Sequence, residues 1–348
     1  MSFESFYRGK RVLVTGHTGF TGGWLVAWLK LMGARVCGYG LPPSSRPNFF
    51  DAALLDRGIS SVFADIRDRE TLANTFTDFQ PEIVFHAVSA GEPQDSVELF
   101  GINVASTVNL LEEARLTGSA RSLVLLTALP PSNWHPKSQS KHSWLSSTQS
   151  IAETAAWAFA ESFFRSSRTR LGIARFPALI GGGDWSESSL VGKLLLSVLS
   201  GDVITLSENE FQCCHLLEAV HACLQYAEEL FVSPGTQSIQ SFCNSHQPVS
   251  CVEFAKKFAG LWGEADLQIE IQTKEPASFA TAADTPAPER TEWTPVLSLD
   301  QAISWTVEWY KGFLTDPASA VGTTQSQIKR YSELVPGQSA VPTPATTS

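Results

Sequence analysis

Residues 12–25, which read VLVTGHTGFTGGWL, decide the fold. A short apolar strand pattern breaks at Gly16, further glycines follow at Gly19 and Gly22, and an apolar helical pattern begins at Trp24. In dinucleotide-binding proteins one such glycine turns the chain, one lets backbone N–H groups approach a pyrophosphate, and one lets the helix pack on the strand. Phosphates then bind at the helix N-terminus, where unpaired N–H groups and the helix dipole favour negative charge. The stretch therefore predicts a dinucleotide site.

Strand and helix patterns alternate over the first half of the chain. Strands are predicted at residues 11–14, 34–40, 61–68, 82–87, 122–127 and 171–180, and helices at 70–79, 100–117 and 148–164. Alternation at this spacing indicates parallel βαβ units. We therefore predict an α/β fold with a Rossmann-type, doubly wound parallel sheet in residues 1–180. Because glycine-rich turns also occur for geometric reasons alone, this context is what favours the dinucleotide interpretation.

The remaining segments have less regular patterns. Residues 128–147 are rich in proline and serine, which predicts a loop over the carboxyl edge of the sheet, where ligands of such folds bind. Residues 181–332 contain shorter, mixed segments and predict a smaller C-terminal substrate lobe with excursions back to the sheet. The composition of residues 333–348 is typical of a disordered tail.

Composition limits the classes of function. Of the 348 residues 43% are hydrophobic and 17% are charged, as in globular proteins. A formal net charge of −10 argues against a surface for nucleic acid or for an anionic membrane. Neither an apolar run of about 18 residues nor a signal-peptide core is found, which favours a cytoplasmic protein. The six cysteines show no C-x-x-C spacing, so neither a zinc site nor a disulfide framework is expected.

Several stretches together resemble the CDP-glucose 4,6-dehydratases, which are extended short-chain dehydrogenase/reductases. They are FYRGKRVLVTGHTGFTGGWL at 6–25, GYGLPP at 38–43, DIRD at 65–68, PEIVFHA at 81–87, NV at 103–104, IGGGDW at 180–185 and WTVEWYK at 305–311. The resemblance extends from about residue 4 to residue 332. It implies a Rossmann-type fold, bound NAD and a nucleotide-sugar substrate.

The resemblance also implies a set of cofactor contacts. These are expected at Gly16, Thr18, Gly19, Phe20, Gly22, Arg46, Asp65, Ile66 and His86. Dinucleotide folds often end the second strand with Asp or Glu to hold the adenosine ribose, and no such residue stands there. Arg46 could contact the ribose or a 2′-phosphate, or it could be a solvated loop residue. The choice between NAD and NADP therefore stays open.

The family's reaction returns its hydride to the substrate. Bound NAD takes hydride from C4 of the sugar while a tyrosine, with its pKa lowered by a lysine, removes the hydroxyl proton. An acid and a base then eliminate water across C5 and C6, and hydride returns to C6 to leave a 4-keto-6-deoxy sugar. The tyrosine and lysine belong to a Tyr-x-x-x-Lys helix, and a Thr-Ser-Asp-Lys run follows the fifth strand.

Those catalytic groups are missing from this sequence. Leu145 stands at the tyrosine position and Gln149 at the lysine position. No tyrosine occurs between Tyr39 and Tyr226, so a shift in register cannot supply a phenol. The run after the fifth strand reads TALP, and Thr127 is the catalytic remnant.

The predicted substrate side has changed as well. Arg175 and Asn103 keep their places and are the candidate substrate contacts. Ala178 replaces an asparagine, Ser189 replaces an arginine, and FQCCH at 211–215 replaces an Arg-Pro-Trp-Gln-His run. A nucleotide diphosphate would therefore meet few cations.

Three hypotheses follow. The protein could be a catalytically silent relative that keeps the fold, could bind a dinucleotide or nucleotide, and acts as a structural or regulatory partner, since each missing group alone lowers turnover by orders of magnitude. It could be an active oxidoreductase or dehydratase in which Thr127 orients the substrate and loop residues act as substitutes. The candidate substitutes are His135, Lys137, Lys141 and His142, each of which could equally be an exposed loop residue. It could also retain dehydratase activity through another arrangement.

The two long helices bear on partners. Segments 100–117 and 148–164 resemble the helices that family members pair with a second subunit in a four-helix contact. Their apolar faces predict a homodimer, and the same contact would permit a heterodimer with an active relative. The alternative is that these faces pack on the sheet.

Overall fold

The computed structural model describes residues 3–89, 96–129, 143–165, 167–232, 237–242, 248–263, 267–272, 293 and 295–335. Its strands are β1 Arg11–Thr15, β2 Arg35–Gly40, β3 Ser60–Phe63, β4 Ile83–His86, β5 Ser122–Ala128, β6 Arg170–Phe176, β7 Ala178–Ile180, β8 Ile204–Ser207, β9 Glu210–Phe211, β10 Cys213–His215, β11 Ser238–Ser241, β12 Val249–Ser250 and β13 Ile269–Gln272. Its helices are α1 Phe3–Tyr7, α2 Phe20–Leu31, α3 Phe49–Ala52, α4 Arg69–Phe79, α5 Ser96–Phe100, α6 Ser106–Thr117, α7 Ser143–Phe163, α8 Leu190–Ser200, α9 Leu216–Val232, α10 Cys251–Trp262, α11 Leu299–Thr315 and α12 Ser319–Leu334, with a π-helical turn at Gly101–Ala105.

Seven parallel strands form the central sheet in the order β3-β2-β1-β4-β5-β6-β11. The chain winds outward from β1 to β3 and then crosses back to place β4 on the other side of β1. This reversal opens a crevice at the carboxyl ends of β1 and β4, where doubly wound folds bind their ligands. The predicted fold class is confirmed.

Both faces of the sheet are covered, because successive side chains of a strand point to opposite faces. Val12 and Val14 of β1 belong to a core that α2, α9 and α12 complete. Leu13, between them, belongs to a second core with α4, α6 and α7. The continuous apolar run of β1 is thus explained by burial on two sides.

The second half of the chain contributes one strand to the central sheet and further strand pairs outside it. Strand β11 pairs with β6 at the sheet edge, and α9 packs against β5 and β6. Beyond them, the strands pair two by two as β7 with β10, β9 with β12 and β8 with β13. The division at residue 180 between a Rossmann domain and a smaller C-terminal lobe stays a prediction.

Several predicted bounds are corrected by the structure. The third strand ends at Phe63, so the DIRD residues lie in the turn after it. The sixth segment divides at Pro177: β6 stays in the main sheet, whereas β7 pairs with β10. The predicted loop 128–147 is wrong at its end, because α7 begins at Ser143, and α12 reaches Leu334, inside the predicted tail. A π-helical turn and α5 replace the start of the predicted helix 100–117.

The structure also bears on the cysteines, on metal binding and on membrane-spanning helices. Cys37, Cys213, Cys214, Cys223 and Cys251 are buried free thiols, and Cys243 lies outside the described residues. The described residues contain no cluster of three or more His, Cys, Asp or Glu side chains able to hold a metal ion. None of the helices that the structure describes combines the length and apolar character needed to cross a bilayer.

Candidate functional site: a cofactor crevice and the helix beside it

The glycine turn forms a tight cradle between β1 and α2. Gly16 has a φ of +75°, and a Cβ there would lie 2.7 Å from the carbonyl oxygen of Ala87. A Cβ at Gly22 would lie 2.1 Å from the carbonyl oxygen of Gly16. Gly19 is the N-cap of α2 and offers no side-chain cap. The first-turn N–H groups of α2 are therefore left for an anion, as the glycine spacing predicts.

Thr18 and Phe20, also predicted at the cofactor, connect this turn to its surroundings. The Thr18 hydroxyl donates a hydrogen bond of 2.8 Å to the carbonyl oxygen of Leu41, just after β2. Phe20 lies against the IGGGDW segment, since a Cβ at Gly181 would be 3.3 Å from its ring. Both contacts fix where the turn stands relative to the crevice.

His17 fills the space above β2. Its ring is fully buried, and a Cβ at Gly38 would lie 2.2 Å from it. The rings of Phe50 and Phe63 lie at centroid distances of 5.3 and 5.8 Å. Burial lowers the pKa of His17 to about 4, with the backbone of Tyr39 acting in the opposite direction. His17 is therefore neutral at pH 7, and its ring supports the glycine turn by packing on β2.

Asp65 and Ile66 lie in the turn just after β3, on the β2 side of the crevice. Ala64 N–H donates to the carbonyl oxygen of Gly40 at the end of β2, 3.1 Å away. Ile66 is buried, and the Asp65 carboxylate accepts three hydrogen bonds from Arg67. These bonds lower the pKa of Asp65 and keep it ionised. The sequence analysis missed the role of Arg67, although the D-x-R spacing was visible.

Arg46 lies in the exposed loop between β2 and α3. In the part of the chain that the structure describes, its guanidinium has no hydrogen bond or ion pair. The carboxylate of Asp51 nearby in sequence accepts from Asn48 at 2.9 Å. The assignment of Arg46 to the cofactor site stays a prediction.

His86 connects the crevice to the helices behind the sheet. Its Nδ1 lies 2.6 Å from the Thr15 hydroxyl, and its Nε2 lies 3.1 Å from the Thr107 hydroxyl. Burial lowers the pKa of His86 to about 4, so the ring is neutral. Thr107 donates its hydrogen to the carbonyl oxygen of Asn103 at 2.7 Å. Thr107 must therefore accept from Nε2–H, which leaves Nδ1 to accept from Thr15.

Asn103 is buried in the π-helical turn rather than exposed toward the crevice. Its amide donates to the Thr148 hydroxyl of α7 at 3.0 Å. A polar chain thus extends from β1 through His86 to α7, the helix that carries Gln149.

Gln149 and Thr127, which the resemblance sets at catalytic positions, carry neutral side chains. The amide of Gln149 donates to the Ser89 hydroxyl just beyond β4, at 2.9 Å. Thr127 lies near the end of β5, and its buried hydroxyl has no hydrogen-bond partner among the described residues. Leu145 belongs to α7, but its side chain lies outside the described part. The structure therefore brings Thr127 and Gln149 to the same end of the sheet.

Arg175 of β6 forms an ion pair with a glutamate of α7. Its Nε and Nη2 lie 2.9 and 2.7 Å from Oε2 of Glu153, and both side chains are largely buried. The pair joins β6 to α7 immediately behind Thr127, which is in register with Arg175 across β5 and β6. Glu153 was not predicted, although it lies one helical turn after Gln149.

The second half of the chain presents few charged side chains at the positions that differ from the family's pattern. Ser189 caps α8, because its hydroxyl oxygen accepts from the N–H of Gly192 at 2.9 Å. Phe211 is buried, and its ring packs edge-on against Phe254 at 5.5 Å. Ala178 begins β7 and pairs in register with Cys213. The loop candidates His135, Lys137, Lys141 and His142 lie outside the described residues and stay predictions.

Comparison with known proteins supports the resemblance. The model of the NAD dependent epimerase/dehydratase family matches residues 12–237. CDP-glucose 4,6-dehydratase of Salmonella typhimurium is 30% identical over 346 aligned residues, which cover 89% of this chain and 93% of the relative.

Solved structures agree on the fold. The UDP-glucose 4-epimerase of Thermotoga maritima, solved with UDP-glucose, superposes with a TM-score of 0.72 at 18% identity and covers 87% of this chain and 99% of its own. The dTDP-glucose 4,6-dehydratase of Bacillus anthracis, solved in complex with NAD, gives a TM-score of 0.69 at 17% identity, with coverages of 87% and 97%. Family membership supports NAD as the cofactor. The chain belongs to the NAD dependent epimerase/dehydratase family.

Proposed function

We propose that this protein is an NAD-binding relative of CDP-glucose 4,6-dehydratase that has lost dehydratase activity. One observation carries the proposal: the cofactor cradle is complete, whereas the lysine position holds Gln149, a neutral amide bonded to Ser89. The cradle and α7 face the same crevice, so the capacity to bind the cofactor and the loss of catalytic groups concern one site.

The residues present fit a bound dinucleotide. The uncapped N-terminus of α2 would receive the pyrophosphate, and Gly16 and Gly22 keep the backbone close enough for that contact. Asp65 would lie at the adenosine end, and His86, neutral, would hold the floor of the crevice through Thr15. When bound, NAD supplies a hydride acceptor. Arg46 leaves open a 2′-phosphate, and with it NADP.

The lost chemistry follows from the side chains that replaced the catalytic groups. Leu145 has no proton to exchange, and the amide of Gln149 carries no charge that could lower the pKa of a phenol. The TALP run lacks an acid and a base for eliminating water. Since each positioned acid or base contributes about 10²–10⁴-fold, losing several together removes useful turnover.

The substrate side supports weakened binding of a nucleotide sugar. Ser189 caps α8, Phe211 packs against the ring of Phe254, and Arg175 forms an ion pair with Glu153. None of these three side chains offers a free cation to a diphosphate. Any nucleotide sugar that binds is therefore held less tightly than by a relative with arginines at positions 189 and 211.

The helices that flank the site support a homodimer, and would permit a heterodimer with an active relative. Large apolar side chains on α5 and α7 are exposed: Val97 (76%), Phe100 (45%), Ile151 (40%) and Phe163 (53%). Exposed apolar area of this kind is typical of contact surfaces. Leu111 on α6, in contrast, is buried against the sheet.

A calorimetric titration with NAD tests the first half of the proposal. We expect saturable binding of NAD to the wild type and loss of that binding in the double variant Gly16→Val, Gly19→Val. Unchanged NAD affinity in this variant would contradict the role given to the turn. Circular dichroism of the variant would establish that it is folded.

A further inference from the structure

A crevice lies between α2 and α12, toward the end of α2 that is opposite to the glycine turn. It encloses about 40 Å³, and the two long polar side chains that line it are those of Lys30 and Gln325. Apolar side chains form most of the remaining wall: Ala27 and Leu31 of α2, Leu55 after α3, and Val321 of α12. A concave, mainly apolar space with a few polar groups is the usual form of a small-molecule site.

Lys30 lines this crevice as a half-buried ammonium. Its Nζ donates to the carbonyl oxygens of Leu54 and Leu55 at 3.3 and 3.4 Å, which are long bonds, and a third N–H is left over. No carboxylate of the described residues forms an ion pair with it. Burial lowers the pKa of Lys30, Asp56 acts in the opposite direction, and Arg57 adds to the lowering. Because burying a cation without a counter-ion is unfavourable, an anion in the crevice would stabilise this group.

The usual role of a lysine at the end of a helix is already filled by the backbone. Such a lysine commonly bonds to the last carbonyl groups of the helix. Here the N–H groups of residues 32–34 donate to the carbonyl oxygens of Trp28, Leu29 and Lys30, at 3.0–3.1 Å. The Lys30 ammonium is therefore not the group that closes α2.

The size of the crevice limits what it can hold. A water molecule needs about 10–15 Å³ of such a space, so the enclosed part has room for about three non-hydrogen atoms. A carboxylate group has that size, whereas a phosphate is larger. The side-chain amide of Gln325 has no partner among the described residues and would donate to the second carboxylate oxygen.

We propose that this crevice binds a small monocarboxylate, whose carboxylate pairs with the Lys30 ammonium and whose alkyl group packs between α2 and α12. The site is separate from the cofactor crevice, because Lys30 and the first turn of α2 are about 15 Å apart along the helix. The inference goes beyond the proposed function and does not depend on NAD binding.

Saturation-transfer NMR of the full-length protein with propionate tests the site. Lys30→Met removes the charge and keeps an apolar chain, and Val321→Phe fills the crevice while leaving Lys30 in place. Lys329→Met is the matched control, because this lysine also lies near the crevice's helix, α12, but is exposed. Propionamide, which has nearly the same shape without the charge, and inorganic phosphate, which is a larger anion, are compared with propionate.

We expect propionate to bind the wild type with a dissociation constant of about 1 mM, as suits a ligand of few atoms. Propionamide and phosphate should bind at least about tenfold more weakly. Lys30→Met and Val321→Phe should each weaken propionate at least about tenfold, and Lys329→Met should leave it within about twofold. NAD affinity should be the same in all three variants.

Absence of propionate binding at about 50 mM would overturn the inference. Equal binding of propionamide or phosphate would also overturn it, as would propionate affinity unchanged by both Lys30→Met and Val321→Phe. If Lys30→Met does not fold, Val321→Phe and the comparison with propionamide decide the matter. Absence of NAD binding to the wild type would refute the proposed function and leave this site standing, which separates the two failures.

Discussion

The contact between Gly22 and Gly16 makes the cofactor cradle testable with one methyl group. In Gly22→Ala the new Cβ would lie 2.1 Å from the carbonyl oxygen of Gly16 and 2.7 Å from its carbonyl carbon. Because both are backbone atoms, the N-terminus of α2 has to move away by about 1 Å to restore an ordinary contact. Overpacking of this kind costs about 1–3 kcal/mol of the free energy of unfolding. The same shift displaces the first-turn N–H groups, so we expect NAD affinity to fall at least tenfold, or about 1.4 kcal/mol.

Gly322→Ala provides the matched control. Gly322 also lies in a helix, α12, but a Cβ there meets nothing within 4 Å. This substitution should raise the free energy of unfolding by about 1 kcal/mol and leave NAD affinity unchanged. Both variants are compared by urea unfolding and by calorimetric titration with NAD. If Gly22→Ala matched Gly322→Ala in stability and in NAD affinity, the cradle would not have the role assigned to it.

Three further predictions concern stability and assembly. Burial lowers the pKa of four histidines, so below pH 6.5 the unfolded chain binds more protons than the folded chain. Lowering the pH from 7 to 5 should therefore reduce the free energy of unfolding, measured in urea, by about 1–2 kcal/mol for each histidine. Equal stability at both pH values would contradict this. The four are His17, His86, His215 and His221. Glu153→Gln should cost about 3–5 kcal/mol of the free energy of unfolding, because it removes the carboxylate that pairs with the largely buried guanidinium of Arg175. Glu308→Gln, in an exposed pair, should cost under about 1 kcal/mol, and similar melting temperatures for both variants would refute the difference. Light scattering at micromolar concentration should give a dimer that Ile151→Asp converts to a monomer and Leu196→Asp on α8 does not; a monomeric wild type would refute the dimer.

Local features of the sequence were sufficient for the central strands and the glycine turn. Gly22 lies six positions after Gly16, and the contact between them follows from a strand, a turn and a helix in immediate succession. The apolar run of β1 likewise follows from burial on both faces. Such features depend on neighbours in the chain, so residue pattern alone predicts them.

Features that depend on distant segments were not predictable in this way. β11 joins the sheet next to β6 although more than sixty residues separate them, and no local periodicity specifies that pairing. The pairing of Arg175 with Glu153 crosses from a strand to a helix, which is why Arg175 looked available for substrate. Ser189 and Phe211 could be read as losses of charge, but their roles as a helix cap and a ring contact required the fold.

One measurement tests the central claim most directly: proton NMR of the purified protein with NAD and CDP-glucose, observing the sugar C6 methyl region. The Salmonella typhimurium dehydratase, assayed in parallel, serves as the positive control. We predict no methyl doublet from this protein, together with saturable NAD binding in a parallel titration. A methyl doublet that grows in proportion to protein concentration would contradict the account and would require substitute catalytic groups beyond Thr127 and Gln149.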